Sequence, residues 1–260
     1  MASQTTDNFR DYQRDLNDPV AQFYFDNHRH QTLDFARGKL KHYATLNRKQ
    51  MSVWQAMQLL DSIVDDSDPD TELSQLDHSL QTAEAIRAAG EPRWLQLTGF
   101  IHDLGKVLCC FEEPQWAVVG DTFPLGCRFD QSIVYSEFFA ENPDHQRPEY
   151  QTETGIYSPH CGLDAVTMSW GHDEYLYQVT RQHLPAEALY VIRYHSFYSA
   201  HSAGAYQHLM NEFDQQMMPW VQKFQPFDLY SKGESAPDRA ALLPYYQTLV
   251  TEFLPDQLNW

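Results

Sequence analysis

The stretch that most restricts the fold runs from residue 94 to about residue 110, where Phe100-Ile101-His102-Asp103-Leu104-Gly105-Lys106 lies inside a segment apolar nearly all round. A helix apolar on every side belongs at the centre of a bundle. This one carries an imidazole and a carboxylate at adjacent positions, and burying both is costly unless they are paired or bound. Adjacent helical residues point about 100° apart, so His102 and Asp103 cannot easily face each other. Both can reach a common third object, and a metal cluster is such an object. Lys106 is four residues from His102 and three from Asp103, so it shares their face. It either neutralises Asp103 or donates a charged hydrogen bond to something held at the metal, and the two roles are compatible.

The other periodic segments predict a bundle around that element. Ser52 and Gln55 form a capping box ahead of Val53, Trp54, Met57, Leu60 and Val64, which share one helix face. A helix is predicted over 78–89 with Ala85 and Ile86 on its apolar side, stopping at Gly90. Another begins near Pro185, a favoured first-turn residue, and aligns Ala188, Ile192 and His195. Two more fall near 206–224 and 243–253. Strand signals are weak, and 116–123, around Val118-Val119-Gly120-Asp121, reads as a short hairpin or a loop. The fold expected is all-α, a compact helical bundle with at most a small β-hairpin. No internal repeat, low-complexity tract or Gly/Ser linker divides the chain, so one domain over 1–260 is expected.

Composition narrows the function. The formal net charge is −18, with no local run of Lys and Arg to override it. Such a chain repels nucleic acid and anionic membrane surfaces, so neither is expected as a partner. A neutral small molecule meets no such barrier. Cys109, Cys110, Cys127 and Cys161 form no C-x-x-C pair, and a reducing cytoplasm is the expected location. The first sixteen residues lack the apolar core of a signal peptide, and no stretch approaches the length of a membrane span.

The chain has 12 histidines. His28, His30, His42, His145, His183, His201 and His208 sit among polar neighbours and are expected to be solvated, and His160 falls in a turn-like stretch. Four others differ. His78 stands near a helix start, and His102 lies in the central helix. His172 precedes Asp173 and Glu174, which suit a helix first turn. His195 lies on an apolar face. Asp228, between Phe227 and Leu229, reads as a helix cap or a ligand. The order His78, His102-Asp103, His172, His195, Asp228 suits a bundle core that gathers ligands from several helices. The donors are nitrogen and oxygen, which favours iron, manganese or zinc over copper(I) or an iron–sulfur cluster. Four histidines and two carboxylates exceed the needs of one four-coordinate zinc, so two metals are the natural count.

That order resembles the HD-domain superfamily, whose members are mainly metal-dependent phosphohydrolases. Longer words resemble the myo-inositol oxygenase family more closely. They are Val64-Asp65-Asp66-Ser67-Asp68-Pro69-Asp70, Gln81-Thr82-Ala83-Glu84, His102-Asp103-Leu104-Gly105-Lys106 and Pro114-Gln115-Trp116-Ala117-Val118-Val119-Gly120-Asp121-Thr122-Phe123-Pro124. Pro159-His160-Cys161-Gly162-Leu163-Asp164, Met168-Ser169-Trp170-Gly171-His172-Asp173-Glu174-Tyr175 and His195-Ser196-Phe197-Tyr198 belong with them. The resemblance runs from about Phe9 to the C-terminus. The stretch 199–205 departs from the family's aromatic and charged version.

The resemblance implies an HD-type helical bundle, a mixed-valent Fe(II)/Fe(III) pair, and dioxygen-dependent cleavage of myo-inositol to D-glucuronate and water. By motif position, His78, His102 and Asp228 would ligate one iron, His172 and His195 the other, and Asp103 would bridge them. Lys106 and Asp103 would serve catalysis. Substrate contacts would fall on Arg10, Asp65, Asp66, Ser67, Lys106, Gly120, Asp121, His195, Ser196 and Lys232. A monomeric enzyme is expected. Two other readings stand beside this one: an HD-type phosphohydrolase, with Lys106, Lys232 and Arg10 as its anion pocket, and a sensor that binds a polyol or a metal without turnover.

Overall fold

The computed structural model describes residues 18–63, 74–230 and 237–260. Helix α1 (Pro19–His30) starts where Asp18 accepts from the Val20 N–H, and α2 (Leu33–Tyr43) where Thr32 accepts from Phe35. Neither helix stood out in the sequence. Their polar and histidine-rich faces blur the apolar stripe that a periodicity search needs. The Ser52–Gln55 capping box forms in both directions and opens α3 (Val53–Leu60). Val64 lies outside the described residues. Ser74 caps α4 (Gln75–Ala88), which ends ahead of Gly90 at φ +73°, a conformation that only glycine adopts cheaply.

The long central helix predicted over 94–110 is two elements. Helix α5 (Arg93–Ile101) stops at His102, and a tighter 3-10 stretch (Leu104–Phe111) follows. Apolarity told where the segment sits, but it does not report winding. Gly99 lets α5 settle onto α4. A Cβ there would stand 2.6 Å from Ile86 Cδ1 and 3.2 Å from Ala83 Cα.

Helices α6 (His172–Thr180) and α7 (Ala186–Tyr194) pack together, and α7 packs on α9 (Glu212–Tyr230). Pro185 caps α7 from outside rather than occupying its first turn. A single turn, α8 (Tyr198–His201), lies between α7 and α9. The helix predicted near 206–224 begins later and runs further, because Tyr206 at φ +60° breaks its start. Helix α10 (Arg239–Phe253) closes against α4 and α5.

Residues 116–123 form no hairpin. A short 3-10 turn (Gln115–Ala117) leads into a loop. Among the described residues the one sheet pairs β1 (Gln50–Met51) with β2 (Leu258–Asn259), antiparallel and in register Met51↔Leu258. These strands come from distant parts of the chain, so no local turn signal announces them. The fully buried Trp260 seals the join, its indole N–H donating to the Met51 carbonyl.

Two histidines expected in solvent are buried. His28 stacks on Phe139 at 4.1 Å and lies 2.7 Å from the Val134 carbonyl oxygen, and His201 lies 2.8 Å from that of His195. Their polar sequence neighbours are not their neighbours in space. No helix among the described residues is long and apolar enough to cross a membrane.

Candidate metal centre

Local structure aims the imidazoles. His102 and His195 each sit at the C-terminus of a helix, α5 and α7, where the last carbonyls lack partners within the helix. Each ring turns back so that Nδ1 donates to the carbonyl three residues earlier, Gly99 for His102 and Ile192 for His195, both at 2.9 Å. His172 opens α6, and its Nδ1 donates to the Val118 carbonyl at 2.8 Å. With the Nδ1 proton spent, Nε2 is left as the free lone pair of all three rings.

These lone pairs converge. His78, on α4, and Asp228, on α9, meet at 3.0 Å, Nε2 to Oδ1, and His102 Nε2 lies 3.2 Å from the same oxygen. Asp103 Oδ2 lies 3.5 Å from His102 Nε2 and 3.8 Å from His78 Nε2. The other oxygen, Oδ1, faces the opposite way, 3.4 Å from His172 Nε2 and 3.8 Å from His195 Nε2. The last two nitrogens are 3.2 Å apart. The result is two donor sets with one carboxylate between them.

The 3-10 winding after His102 has a purpose in this geometry. Residues three apart eclipse in a 3-10 helix. Lys106 therefore stands over Asp103, and its buried ammonium donates to Oδ2 at 2.8 Å. Gly105, between them, touches the backbone of His172. A Cβ there would overlap the His172 carbonyl oxygen. That contact presses the Asp103 segment against the start of α6 and brings the two donor sets together.

Two observations show that the donors suit metal. Ligand atoms bound at about 2.1 Å stand about 3.0 Å apart at right angles and about 3.4 Å apart at a tetrahedral angle, the spacing seen here. Buried atoms also lack partners. His102 Nε2 makes no hydrogen bond among the described residues, and two Nε2 lone pairs face each other across the His172–His195 gap. A cation between them satisfies both. Charges follow the same demand. Burial pushes the Asp103 carboxyl up, but Lys106, His102 and the hydrogen bond from His195 outweigh it and hold it well below the usual range. Burial likewise opposes ionisation of Asp228, and His102 and His78 reverse it. Burial disfavours positive charge on His195, yet Asp173 and Asp103 outweigh it and raise the ring well above the ordinary histidine range, so positive charge at its Nε2, from a proton or from a metal ion in the proton's place, is favoured, while burial lowers His172.

The family that the motifs resemble can now be tested against the whole chain. The model of the family described as myo-inositol oxygenase matches residues 17–260. The inositol oxygenase of Bos taurus is 51% identical over 100% of this chain and 93% of its own length. That of Dictyostelium discoideum is 49% identical over 97% of this chain and 89% of its own, and inositol oxygenase 1 of Arabidopsis thaliana 49% over 97% and 84%. The chain belongs to the myo-inositol oxygenase family. In this family member His78, His102 and Asp103, and Asp103, His172 and His195, form two groups able to hold a metal ion.

Of the residues singled out in the sequence, the structure gathers His78, His102, Asp103, Lys106, His172, His195, Ser196 and Asp228 in one place. Gly120 and Asp121 lie alongside, in a loop pinned at both ends. The Val118 carbonyl holds His172, and the Thr122 N–H donates to the Ser196 carbonyl at 2.9 Å. Gly120 has φ +87°, and a Cβ there would meet the Phe23 ring at 2.9 Å. Asp121 accepts from the Tyr24 hydroxyl at 3.2 Å. Arg10, Asp65, Asp66, Ser67 and Lys232 lie outside the described residues. Sequence reasoning missed Asp173. It is 1% exposed, with Oδ1 2.7 Å from His195 Nδ1 and 3.1 Å from the Ser196 hydroxyl. Its place after His172 made a helix-dipole role sufficient, and nothing local in the sequence links it to His195.

Proposed function

We propose that this chain is a myo-inositol oxygenase that opens the ring of myo-inositol with one dioxygen, giving D-glucuronate and water, at a mixed-valent Fe(II)/Fe(III) pair. The observation that carries the reading is the shared carboxylate. Asp103 offers one oxygen to each of two all-nitrogen-and-oxygen donor sets, in a chain that matches the oxygenase family over 17–260. Myo-inositol has no ester or acetal bond, so hydrolysis cannot open it. Breaking its carbon–carbon bond with dioxygen removes four electrons, which calls for a redox metal and excludes zinc.

In this reading His78, His102 and Asp228 would hold one iron, His172 and His195 the other, and Asp103 would serve both. When bound, the irons supply dioxygen activation and make a chelated hydroxyl more acidic. The protein does the rest. Lys106 places a buried positive charge where a hydroxyl oxygen becomes negative as its proton leaves. The Ser196 hydroxyl, the Gly120 backbone and the Asp121 carboxylate stand beside the His172–His195 half to bond further hydroxyls and fix which carbon–carbon bond is presented. Arg10, Asp65, Asp66, Ser67 and Lys232 complete the polyol contacts, by likeness to the family. A pocket built of such bonds rejects an analogue lacking one hydroxyl, since its own polar groups are then left unpaired.

The test is aerobic turnover of myo-inositol by protein carrying two irons per chain, partly oxidised, with dioxygen uptake and glucuronate followed together. One dioxygen per glucuronate is the expected result. No glucuronate from protein verified in that state would sink the reading and move an HD-type phosphohydrolase into first place.

A further inference from the structure

We propose that Asp173 is a positioning residue that tunes the His172–His195 half of the centre alone. The four imidazoles differ in what stands behind them. His102 and His172 have a neutral backbone carbonyl at Nδ1, and His78 Nδ1 is buried with no hydrogen bond among the described residues. His195 Nδ1 donates to the Ile192 carbonyl at 2.9 Å, and the Asp173 carboxylate stands 2.7 Å from the same nitrogen. The carbonyl already fixes the tautomer. What Asp173 adds is a full negative charge behind one ligand, which makes the imidazole a stronger donor at Nε2. The same oxygen, Oδ1, accepts from the Ser196 hydroxyl at 3.1 Å and lies 3.5 Å from His172 Nε2, so it holds three groups of this half together.

Asp173 is built for this. It is nearly fully buried, and its second oxygen, Oδ2, is buried without a hydrogen bond among the described residues. A carboxylate left half-satisfied in the interior is stabilised chiefly by adjacent positive charge. His195, whose Nδ1 stands 2.7 Å from the other oxygen, carries such charge when a metal sits on its Nε2, and the Ser196 hydroxyl donates to that oxygen at 3.1 Å. Ligand and counter-ion thus depend on each other. Among the described residues the His78–His102–Asp228 half has no such carboxylate behind its rings, so removing the charge of Asp173 is expected to act on one half only.

The inference rests on the two-metal reading above, and metal uptake tests it apart from turnover. Metal-free full-length protein is titrated anaerobically with ferrous iron, and the stoichiometry and both affinities are read. Wild type is expected to take two irons, and fewer than two overturns the inference together with the two-iron reading. Two irons without glucuronate formation overturns the oxygenase reading alone. Asp173→Asn keeps the shape and an oxygen acceptor but loses the charge. It is expected to bind one iron as wild type does and the other about 10- to 100-fold more weakly. Ser196→Ala, which deletes the hydroxyl but spares the charge, is expected to leave both iron affinities unchanged. Asp173→Asn binding both irons as tightly as wild type, weakening both equally or failing to fold overturns the proposal and makes Asp173 part of the framework.

Discussion

Gly105 and His172 touch through their backbones, so closely that a single methyl group on Gly105 would overlap the His172 carbonyl oxygen. Neither side can move cheaply, because the stretch after Asp103 is packed against α3 and α6 and His172 is tied by Nδ1 and N–H to the Val118 carbonyl. Gly105→Ala is expected to cost about 1–3 kcal/mol through overpacking. It is also expected to part Asp103 from His172. Thermal melting and metal content measured together check this, and a variant with wild-type values for both would show the contact to be slack.

Asp103→Asn preserves volume but leaves an amide with one good acceptor oxygen where two are used. Iron-loaded Asp103→Asn is expected to lose the magnetic coupling between the two metals. Low-temperature magnetic spectroscopy reads this directly, and an intact antiferromagnetic signal would remove Asp103 from the bridging role.

Lys106→Ala deletes the buried charge that donates to Asp103 and removes none of the proposed metal donors. Metal content is expected to stay at the wild-type level while turnover falls by about 10²- to 10³-fold, the usual effect of removing one preorganised donor. Turnover at the wild-type rate would reduce Lys106 to a counter-charge for Asp103.

Burial, with Cys161 nearby, pushes the Cys127 thiol up to about 12. At pH 8 only about one in ten thousand such thiols is ionised, so alkylation of the folded protein is expected to mark the exposed Cys110 and spare Cys127. The sign for stability follows. An unfolded cysteine ionises near about 8.5, so between about pH 8.5 and 12 the unfolded chain sheds a proton that the folded chain keeps. Stability therefore falls as pH rises through that window. Cys127→Ala is expected to flatten the fall, measured by denaturant melts at pH 8 and 10.

Sequence alone singled out His102 and His195 because each sits in a locally unusual setting, one imidazole in an apolar helix and the other on an apolar face. The Ser52–Gln55 box was equally legible, since a capping box is complete within four residues. What escaped notice was whatever depends on distant partners. His28 finds Val134, and Asp173 finds His195, only once the chain is folded. The pairing of β1 with β2 joins Met51 to Leu258, far apart along the chain. The break after α5 escaped for another reason. Apolar composition dictates burial but is indifferent to whether the backbone winds in threes or fours, and here the winding sets Lys106 over Asp103.

His78 and Asp228 stand 150 residues apart along the chain, yet meet at 3.0 Å. No fragment of the bundle presents both, and the partly folded chain offers only scattered imidazoles. A metal bound at full strength therefore recognises the native state and almost nothing else, and it stabilises that state by mass action. Metal supply then sets more than site occupancy. When the metal is scarce, the population of folded molecules is expected to be drawn down with it, and the protein's lifetime to become a gauge of how much metal its surroundings hold.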